Sequence, residues 1–253
     1  MNSIKKVVIS AAGQGTRMLD LSKDKSKHLI EVKDRPFLAY LLDNILSAGY
    51  LEIIMVVGFR EDMISEFLKT YSFKNQTPNI KIVNQFDILG PKEKEYGTAC
   101  PIKCVKDIVG KENFISLVGD NFYTKDQLVA LNINDEYCYV AGVESSSPEK
   151  FGVLVEKGEY LEKIVEKPKE FIGNLINTSL YKFTPVIFDK IFNLQKSPRG
   201  EYEITDAISL LAKENKVKVK RFTDYWMDFG RPEDVSKFEE FLKNESNKGK
   251  TSA

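Results

Sequence analysis

Short apolar runs rich in β-branched residues alternate with segments of helical spacing up to about residue 140. The segment KKVVISAAG predicts a buried strand that stops at a glycine, FLAYLLDNILSAGY a helix that ends at Gly49, and EIIMVVG a second strand. The same order continues with MISEFLKTY as a helix, IKIVNQF as a strand, ACPIKCVKDIV as a helix and FISLVGDNF as a strand. This alternation predicts an α/β fold with a mixed, mostly parallel sheet and helices on both faces.

The pattern changes after about residue 140, where shorter β-like runs follow one another. The segment FGVLVEKGEYLEKIVEKP predicts a hairpin with Gly158 at its turn. A length of 253 residues suits one large domain or two small ones. We expect a single domain over residues 1–242, with a core over about residues 1–140 and a second portion over about 141–225. The polar final segment, residues 243–253, is expected to be disordered.

Charge and cysteine content limit the kinds of partner. The 37 lysines and arginines balance the 37 aspartates and glutamates, so no net positive field exists to hold nucleic acid or an anionic membrane. The three cysteines are odd in number and form no C-x-x-C pair, which argues against a disulfide framework and a zinc knuckle. The N-terminal apolar run is too short for a signal peptide or a membrane span. We therefore expect a cytoplasmic protein whose partners are small molecules.

A glycine turn directly follows the first predicted strand, in the sequence VVISAAGQGTRM. It begins like the dinucleotide fingerprint G-x-G-x-x-G, but Met18 stands where the third glycine is needed, which disfavours a nicotinamide cofactor. A P-loop also fails, because Gly15 is followed by Thr16 and Arg17 instead of lysine and Ser/Thr. Two interpretations remain: an ordinary tight turn, or a polyphosphate loop in which glycine backbone approaches the phosphates and Arg17 binds their oxygens.

The segments AAGQGTRM and SKHLIEVKDRPFLAY together resemble the N-terminal signature of the sugar-1-phosphate nucleotidylyltransferases, also called nucleotide-sugar pyrophosphorylases. Further segments follow in the order of that family: AGYLEIIMVVG, YGTACPI, LVGDN, FGVLV, VEKP, EYEITDAI and WMDFGRPED. Together they extend over about residues 5–240. The resemblance implies a Rossmann-like nucleotide-binding core in the first portion of the domain and a sugar-binding second portion.

In this family the phosphate of a sugar 1-phosphate attacks the α-phosphorus of a nucleoside triphosphate, and pyrophosphate leaves. A phosphate monoester is already an anion at neutral pH, with a second pKa of about 6, so no general base is required. This agrees with a chain that holds a single histidine, His28. By the resemblance, Arg17 and Lys27 are the catalytic cations that face the triphosphate. Relatives more often have proline where Ser26 precedes this lysine, and we expect His28 at the surface or behind the site.

The resemblance also implies a Mg²⁺ site made by Asp120 and Asp228. Asp120 follows the apolar run FISLVG and so comes at the carboxyl end of a strand, where open α/β sheets bind their ligands. Mg²⁺ takes one or two carboxylates together with phosphate oxygens and water, so two aspartates are sufficient. The alternatives are a helix cap or turn residue for Asp120 and a plain loop residue before Gly230 for Asp228.

Base and sugar recognition are assigned by the same resemblance. The implied nucleotide-binding residues are Ala11, Ala12, Gly13, Gly15, Thr16, Gln85, Gly97 and Thr98. The implied sugar-phosphate-binding residues are Gly152, Glu166, Lys167 and Asn177. The segment FDILGPKEKEY between Gln85 and Gly97 is longer and more charged than the family pattern, so Gly97 matches the family better than Gln85 does. Without the resemblance to the family, Glu166 and Lys167 would be interpreted as residues of a solvated turn.

The substrates implied are an NTP and a sugar 1-phosphate, with UTP and glucose 1-phosphate as the first choice. The alanine at Ala12 resembles the uridylyltransferases, whereas thymidylyltransferases more often have two glycines there. The alternatives are dTTP and, for the sugar, an N-acetylhexosamine 1-phosphate. A regulatory subunit that binds nucleotide sugars without catalysis is the alternative from another class, although such subunits typically lose the metal aspartates or the basic loop. A homo-oligomer is expected by analogy only.

Overall fold

The computed structural model describes residues 3–13, 15–73 and 77–251, with the backbone alone described at residue 16 and residues 248–251. The strands over these residues are β1 (Lys6–Ala11), β2 (Glu31–Val32), β3 (Arg35–Pro36), β4 (Glu52–Val57), β5 (Asn79–Asn84), β6 (Phe114–Val118), β7 (Asn121–Phe122), β8 (Cys138–Glu144), β9 (Gly152–Lys157), β10 (Tyr160–Glu166), β11 (Leu175–Phe183), β12 (Val217–Phe222) and β13 (Met227–Asp228). The helices are α1 (Phe37–Ser47), α2 (Glu61–Thr70), α3 (Gln85–Leu89), α4 (Cys100–Lys103), α5 (Lys106–Val109), α6 (Lys125–Ala130), α7 (Val186–Phe192), α8 (Ile204–Ala212) and α9 (Glu233–Thr251).

Nine of the strands form one mixed sheet in the order β5-β4-β1-β6-β11-β8-β12-β10-β9. The first four strands of this order pair in parallel, as do β8 and β12, and the other neighbours pair antiparallel. The predicted α/β fold with a mixed sheet is therefore confirmed, and parallel pairs are the majority only in its N-terminal half. Strands β9 and β10 form the predicted hairpin, with Gly158 at φ +66° in the turn.

Strand β1 lies between β4 and β6 and is covered on both faces. Val7 and Ile9 pack in a cluster that contains apolar residues of α1, α2 and α6. Val8 packs on the other face, in a cluster with residues of α4, α7 and α8. A parallel strand that is buried on both sides has a continuous apolar sequence. The helices thus cover both faces as predicted, and the carboxyl ends of β1, β4 and β6 meet at one edge of the sheet.

A small aromatic cluster lies apart from the two main cores. It contains Met18 from the glycine turn, Phe37 from the start of α1, Phe229 from the chain after β13 and Phe238 from α9. The Phe37 and Phe229 rings stack at 4.1 Å, and Phe238 contacts Phe37 edge-on at 5.2 Å. The cluster therefore ties the glycine turn, α1 and the C-terminal segment into one unit.

Two predicted elements differ from the structure. The helix predicted over ACPIKCVKDIV is divided into α4 and α5, because Val105 has ψ 4° and its N–H donates to the Ile102 carbonyl at 3.2 Å, a tighter turn than an α-helix. The segment 243–253, which was expected to be disordered, is helical through Thr251, and residues 252–253 lie outside the described ranges.

Helix α9 continues over polar residues because its first turns are fixed to the aromatic cluster. Phe238 is fully buried there, and Phe241 and Leu242 pack against it at the spacing of one helix face. A helix that is already nucleated extends at little cost through lysine, glutamate and asparagine. Among the described helices, none is long and apolar enough to cross a membrane.

Replacing Phe238 by alanine should destabilise the protein strongly. The Phe238 ring is 0% exposed and contacts Phe37, Tyr40 and Phe122. Truncating a buried aromatic side chain costs about 3–5 kcal/mol, and we expect an effect of this size in urea unfolding. Lys243→Ala, at an exposed position of the same helix, is the matched control and should change the unfolding free energy by less than about 0.5 kcal/mol. Equal small effects for both variants would show that α9 does not anchor the cluster.

Candidate functional site

The glycine turn after β1 is shaped around the side chain of Lys27. Gly15 has φ +69°, a left-handed conformation that glycine adopts without strain. A Cβ at Gly15 would lie 3.1 Å from the Lys27 Cβ, and a Cβ at Gly13 would lie 3.8 Å from the Lys27 Nζ. Gly15 therefore leaves the space in which the lysine stem lies, whereas a side chain at Gly13 would meet the ammonium group only at ordinary contact distance.

Lys27 forms an ion pair with Asp120 across the carboxyl ends of β1 and β6. Asp120 comes two residues after β6 ends, as predicted, and the Gly119 N–H donates to the Ser10 carbonyl at 2.9 Å, which fixes this turn against β1. Burial disfavours ionisation of Asp120, but the Lys27 ammonium outweighs that effect and holds the pKa of the Asp120 carboxyl below its usual range. The pair is therefore a charged, largely buried contact at the sheet edge.

Asp228 is brought beside Asp120 by the backbone. Strand β13 pairs antiparallel with β7, and the Phe229 N–H donates to the Asp120 carbonyl at 2.8 Å. Burial and the nearby Asp120 carboxylate raise the pKa of Asp228 to about 6, and Arg17 opposes this rise. The Arg17 guanidinium is close by, since a Cβ at Gly230 would lie 3.3 Å from Asp228 Oδ1 and 3.5 Å from Arg17 Nη2. Arg17 and Asp228, which are distant in sequence, thus share one site.

The two adjacent carboxylates suit a divalent cation. Repulsion by Asp120 adds to burial in raising the Asp228 pKa, and a cation between the two side chains would remove this repulsion. Carboxylate oxygens are ligands that Mg²⁺ prefers, and Mg²⁺ commonly completes its shell with phosphate oxygens and water. Within the described ranges, no group of three or more His, Cys, Asp and Glu side chains is arranged to hold a metal ion. The donor set therefore fits a Mg²⁺ site that substrate phosphates complete.

A cavity of about 190 Å³ opens beside the Lys27–Asp120 pair. Its lining includes the predicted nucleotide-binding residues Ala12, Gly13, Gln85 and Gly97. Gln85 is 1% exposed, and its Oε1 has no hydrogen-bond donor among the described residues. A buried acceptor without a donor is energetically costly, so an N–H group of a ligand in this cavity would be a favourable partner for the Gln85 amide oxygen.

Gly97 is required by a close approach of two backbone segments. It has φ +139°, and a Cβ there would lie 2.3 Å from the Tyr202 carbonyl oxygen. The Tyr202 N–H donates to the Tyr96 carbonyl, and the Ala99 N–H donates to the Tyr202 carbonyl, each at 2.9 Å. The absence of a side chain at Gly97 therefore lets the segments before α4 and α8 approach closely, and Gly97 also lines the cavity.

A second cavity, of about 280 Å³, is lined by all four residues predicted to bind the sugar phosphate: Gly152, Glu166, Lys167 and Asn177. A Cβ at Gly152 would lie 3.0 Å from Glu166 Oε1, so this glycine at the start of β9 leaves room for the carboxylate at the end of β10. Burial raises the pKa of the Glu166 carboxyl. Asn177 Nδ2 donates to the Tyr181 hydroxyl at 2.8 Å, which fixes the orientation of the amide.

The two cavities share a wall. The residues that line both are Ser10, Thr98, Val118 and Asp120. Lys27 lines the first cavity, whereas Arg17 and Asp228 line the second. The Lys27–Asp120 pair and the Asp228 carboxylate therefore lie at the junction of the two cavities.

The hydroxyl of Thr98 is engaged by protein groups in this wall. It donates to Glu203 at 3.1 Å and accepts from the Ile204 N–H at 2.9 Å. The buried Glu203 carboxylate also accepts from Arg199 at 2.7 Å. Thr98 lines both cavities as predicted for a nucleotide-binding residue, but the hydroxyl is fixed by the segment before α8.

The polar residues of the second cavity that were not identified from the sequence include Lys150, Arg199 and Trp226. Lys150 and Arg199 add positive charge to the lining of this cavity. The Trp226 Nε1 is buried and has no acceptor among the described residues, and its ring meets Phe151 edge-on at 5.6 Å. Arg199 lies two residues before the family segment EYEITDAI, and Trp226 is the first residue of WMDFGRPED. Their proximity to these motifs is the sequence signal that could have identified them.

His28 is buried, which excludes the surface position and agrees with the other expected position, behind the site. It is 1% exposed, Ser26 Oγ lies 2.9 Å from its Nδ1, and a Cβ at Gly119 would lie 3.0 Å from its ring. Burial, aided by the Lys27 charge, lowers the pKa of His28 to about 3, so the ring is neutral at neutral pH. His28 therefore packs behind the Asp120 turn as a neutral group.

Two predicted nucleotide-binding residues, Ala11 and Gly15, line neither cavity. Ala11 is 1% exposed at the end of β1, and Gly15 lies against the stem of Lys27. The side chain of Thr16 lies outside the described residues. The remaining predicted residues are brought together around the junction, and their individual roles stay predictions.

The chain matches the model of the nucleotidyl transferase family over residues 6–245. It is 31% identical over 247 residues to the UTP–glucose-1-phosphate uridylyltransferase AglF of Haloferax volcanii, which covers 94% of this chain and 97% of that protein. It is 32% identical over 228 residues to a bifunctional sugar-1-phosphate nucleotidylyltransferase/acetyltransferase of Sulfurisphaera tokodaii, over 90% of this chain. The chain spans about half the length of that relative, 53% of it.

Among solved structures, a UDP-glucose pyrophosphorylase complexed with UDP-glucose has the same fold, with a TM-score of 0.80 at 23% identity. The match covers 96% of this chain and 99% of that one. The glycine turn, both aspartates and both cavities lie within the range that the family model matches. The chain belongs to the nucleotidyl transferase family.

Proposed function

We propose that the chain transfers a nucleoside monophosphate from UTP to glucose 1-phosphate, which releases pyrophosphate and forms a nucleotide sugar. The observation that carries this proposal is the junction of two cavities at the Lys27–Asp120 pair. One cavity presents a buried acceptor suited to a base, and the other a carboxylate and cations suited to a sugar phosphate. The bond between nucleotide and sugar phosphate would then form where the cavities meet.

The side chains at the junction would catalyse the transfer by neutralising the charge of the phosphates and by positioning the two substrates. The attacking oxygen belongs to a phosphate that is already ionised, so the neutral, buried His28 is not required as a base. Lys27 and Arg17 place two cations at the junction, where negative charge develops on the α-phosphate. Mg²⁺ held by Asp120 and Asp228 would supply further positive charge to the phosphates.

The base cavity favours a pyrimidine with an N–H group. Uracil and thymine both carry an N3–H that can donate to the unpartnered Oε1 of Gln85. The small cavity and the close approach of Tyr202 to Gly97 leave little space for a purine. Uracil and thymine differ by one methyl group, which is worth only about 1–3 kcal/mol, so some use of dTTP is expected. The relative AglF is named for UTP and glucose 1-phosphate, which supports that choice.

A substrate panel tests the proposal. Pyrophosphate release should be measured with UTP, dTTP, CTP, GTP and ATP against the 1-phosphates of glucose, galactose, mannose and N-acetylglucosamine. We expect the highest kcat/KM for UTP with glucose 1-phosphate and the second highest for dTTP. A clear preference for GTP or CTP would contradict the base assignment, and a preference for N-acetylglucosamine 1-phosphate would contradict the sugar assignment. No release with any pair would favour a regulatory subunit that binds without catalysis.

Removing the ammonium group of Lys27 should slow the reaction. Lys27→Ala should lower kcat by about 10² or more, the scale of one lost preorganised charge contact. Lys25→Ala changes an exposed lysine of the same loop and is the matched control, with kcat expected to stay near that of the wild type. His28→Ala should have a smaller effect on kcat than Lys27→Ala. The opposite order would mean that the loop presents His28, and not Lys27, to the phosphates.

Substitutions of Asp120 and Asp228 should affect stability and activity differently from substitutions of ordinary core residues. Asp228→Asn removes the repulsion from Asp120, so the metal-free variant should melt a few degrees higher than the wild type, given about 2–4 °C per kcal/mol. Mg²⁺ should raise the Tm of the wild type but not of Asp228→Asn, because the variant lacks one ligand carboxylate.

The alanine variants of Asp120 and Asp228 should lose several orders of magnitude in kcat, with an unchanged circular dichroism spectrum. Near-normal turnover in both would exclude the proposed metal site.

A further inference from the structure

We propose that Arg60 is a positioning residue that clamps the loop between the glycine turn and Lys27, and thereby sets where Lys27 lies. The inference rests on the proposed function, because it concerns a cation of the same site. Arg60 lies at the N-terminus of α2 and lines neither cavity. Its effect would therefore reach the site through the loop.

The guanidinium of Arg60 holds two consecutive carbonyl groups of this loop. Arg60 Nη2 donates to the Lys23 carbonyl at 2.8 Å, and Arg60 Nη1 donates to the Asp24 carbonyl at 3.2 Å. The planar fork of an arginine can serve two acceptors at once, whereas a lysine is a single point donor. Lys23 and Asp24 lie between the 3-10 turn Thr16–Ser22, which carries Arg17, and the 3-10 turn Lys27–Leu29.

The two halves of the loop are fixed by different means. Met18 is buried in the aromatic cluster, and the Ser22 hydroxyl donates to the Gly15 carbonyl at 2.9 Å, so the first half is anchored by packing and by a local bond. Residues 23–25 are exposed. Among the described residues, Arg60 makes the hydrogen bonds that join this exposed segment to another element of the fold. Without Arg60 the segment that precedes Lys27 would be held only by its chain neighbours.

Arg60 keeps this contact in spite of two local penalties. Its backbone is left-handed, at φ +57°, which is unfavourable for a residue with a side chain, and its buried Nε has no acceptor among the described residues. Local stability alone would favour glycine at this position. The guanidinium lies 5.3 Å from the centre of the Phe59 ring, which supports it from one side. Strain that persists next to a functional loop is consistent with a positioning role.

The glycine substitution Arg60→Gly separates positioning from folding. It relieves the left-handed backbone and removes the clamp, so we expect an unchanged or higher Tm together with a kcat lowered about tenfold or more, since small displacements of catalytic groups have effects of that order. The KM for the sugar 1-phosphate should change less than kcat, because the second cavity is untouched. Amide hydrogen exchange over residues 16–26 should become faster, with little change elsewhere. Arg60→Lys should fall between the wild type and Arg60→Gly.

Lys33→Gly is the matched control. Lys33 is also a charged residue with a left-handed backbone, at φ +49°, but it is exposed and lies in the turn between β2 and β3. Lys33→Gly should relieve the same kind of strain and leave kcat and the exchange of residues 16–26 unchanged. Wild-type kcat in Arg60→Gly, or a lower Tm that accounts for its loss of activity, would overturn the proposal.

Failure of the proposed function gives a different result. If the wild type releases no pyrophosphate with any pair of the substrate panel, the proposed reaction is wrong, whereas the exchange and melting measurements still decide whether Arg60 holds the loop. Faster exchange in Arg60→Gly but not in Lys33→Gly would support the clamp even then. Unchanged exchange in Arg60→Gly would exclude it.

Discussion

The ion pair between Lys27 and Asp120 connects the loop that follows β1 to the turn that follows β6. Its partners are positioned by backbone features, the conformation of Gly15 that admits the lysine stem and the turn that follows β6. A buried pair is stable only if both charges stay matched, and removing one partner leaves the other uncompensated. The same pair makes the two aspartates unequal: the Asp120 carboxyl has a lowered pKa, whereas the pKa of Asp228 rises to about 6. Asp120 therefore stays ionised as the pH falls, whereas Asp228 takes up a proton near pH 6.

The aromatic cluster explains how distant segments are held in register at the site. Met18 directly follows Arg17 in the chain, and Phe229 directly follows Asp228, so each polar residue has a buried neighbour. Both buried neighbours pack with Phe37 and Phe238. The apolar contacts fix the backbone, and the backbone then aims the charged side chains. The methionine that excluded a dinucleotide fingerprint thus has a structural purpose of its own in this fold.

Local sequence patterns predicted the features that depend on neighbouring residues. The apolar run of β1, the turn at Gly158 and the aspartate after β6 follow from periodicity and turn chemistry. Apart from the β9–β10 hairpin, the antiparallel pairs of the sheet were not predicted, because strand pairing between distant segments leaves no local signal. The extent of α9 was missed for a similar reason, since the helix depends on the burial of Phe238 against three other elements.

The site residues also divide into those that sequence motifs indicate and those that depend on contacts between distant segments. Arg17, Lys27, Asp120 and Asp228 were identified because family motifs place them, and the structure brings them to one junction. The burial of His28 and the hydrogen bonds of Arg60 depend on contacts across tens of residues, and no spacing rule indicates them. Trp226 lies within a recognised motif, yet only the three-dimensional arrangement shows that its indole N–H lacks a partner. Tertiary contacts therefore carry the information that motifs omit.

The shared wall of the two cavities has a consequence for how the reaction ends. A nucleotide sugar formed at the junction would occupy both cavities at once, with its halves joined through the diphosphate. While one half is held, the other remains at a high effective concentration near its own cavity and rebinds readily. Pyrophosphate, by contrast, would be held only by the phosphate contacts of the junction. On these grounds the nucleotide sugar would be the last product to leave, and its departure would set the pace of each cycle.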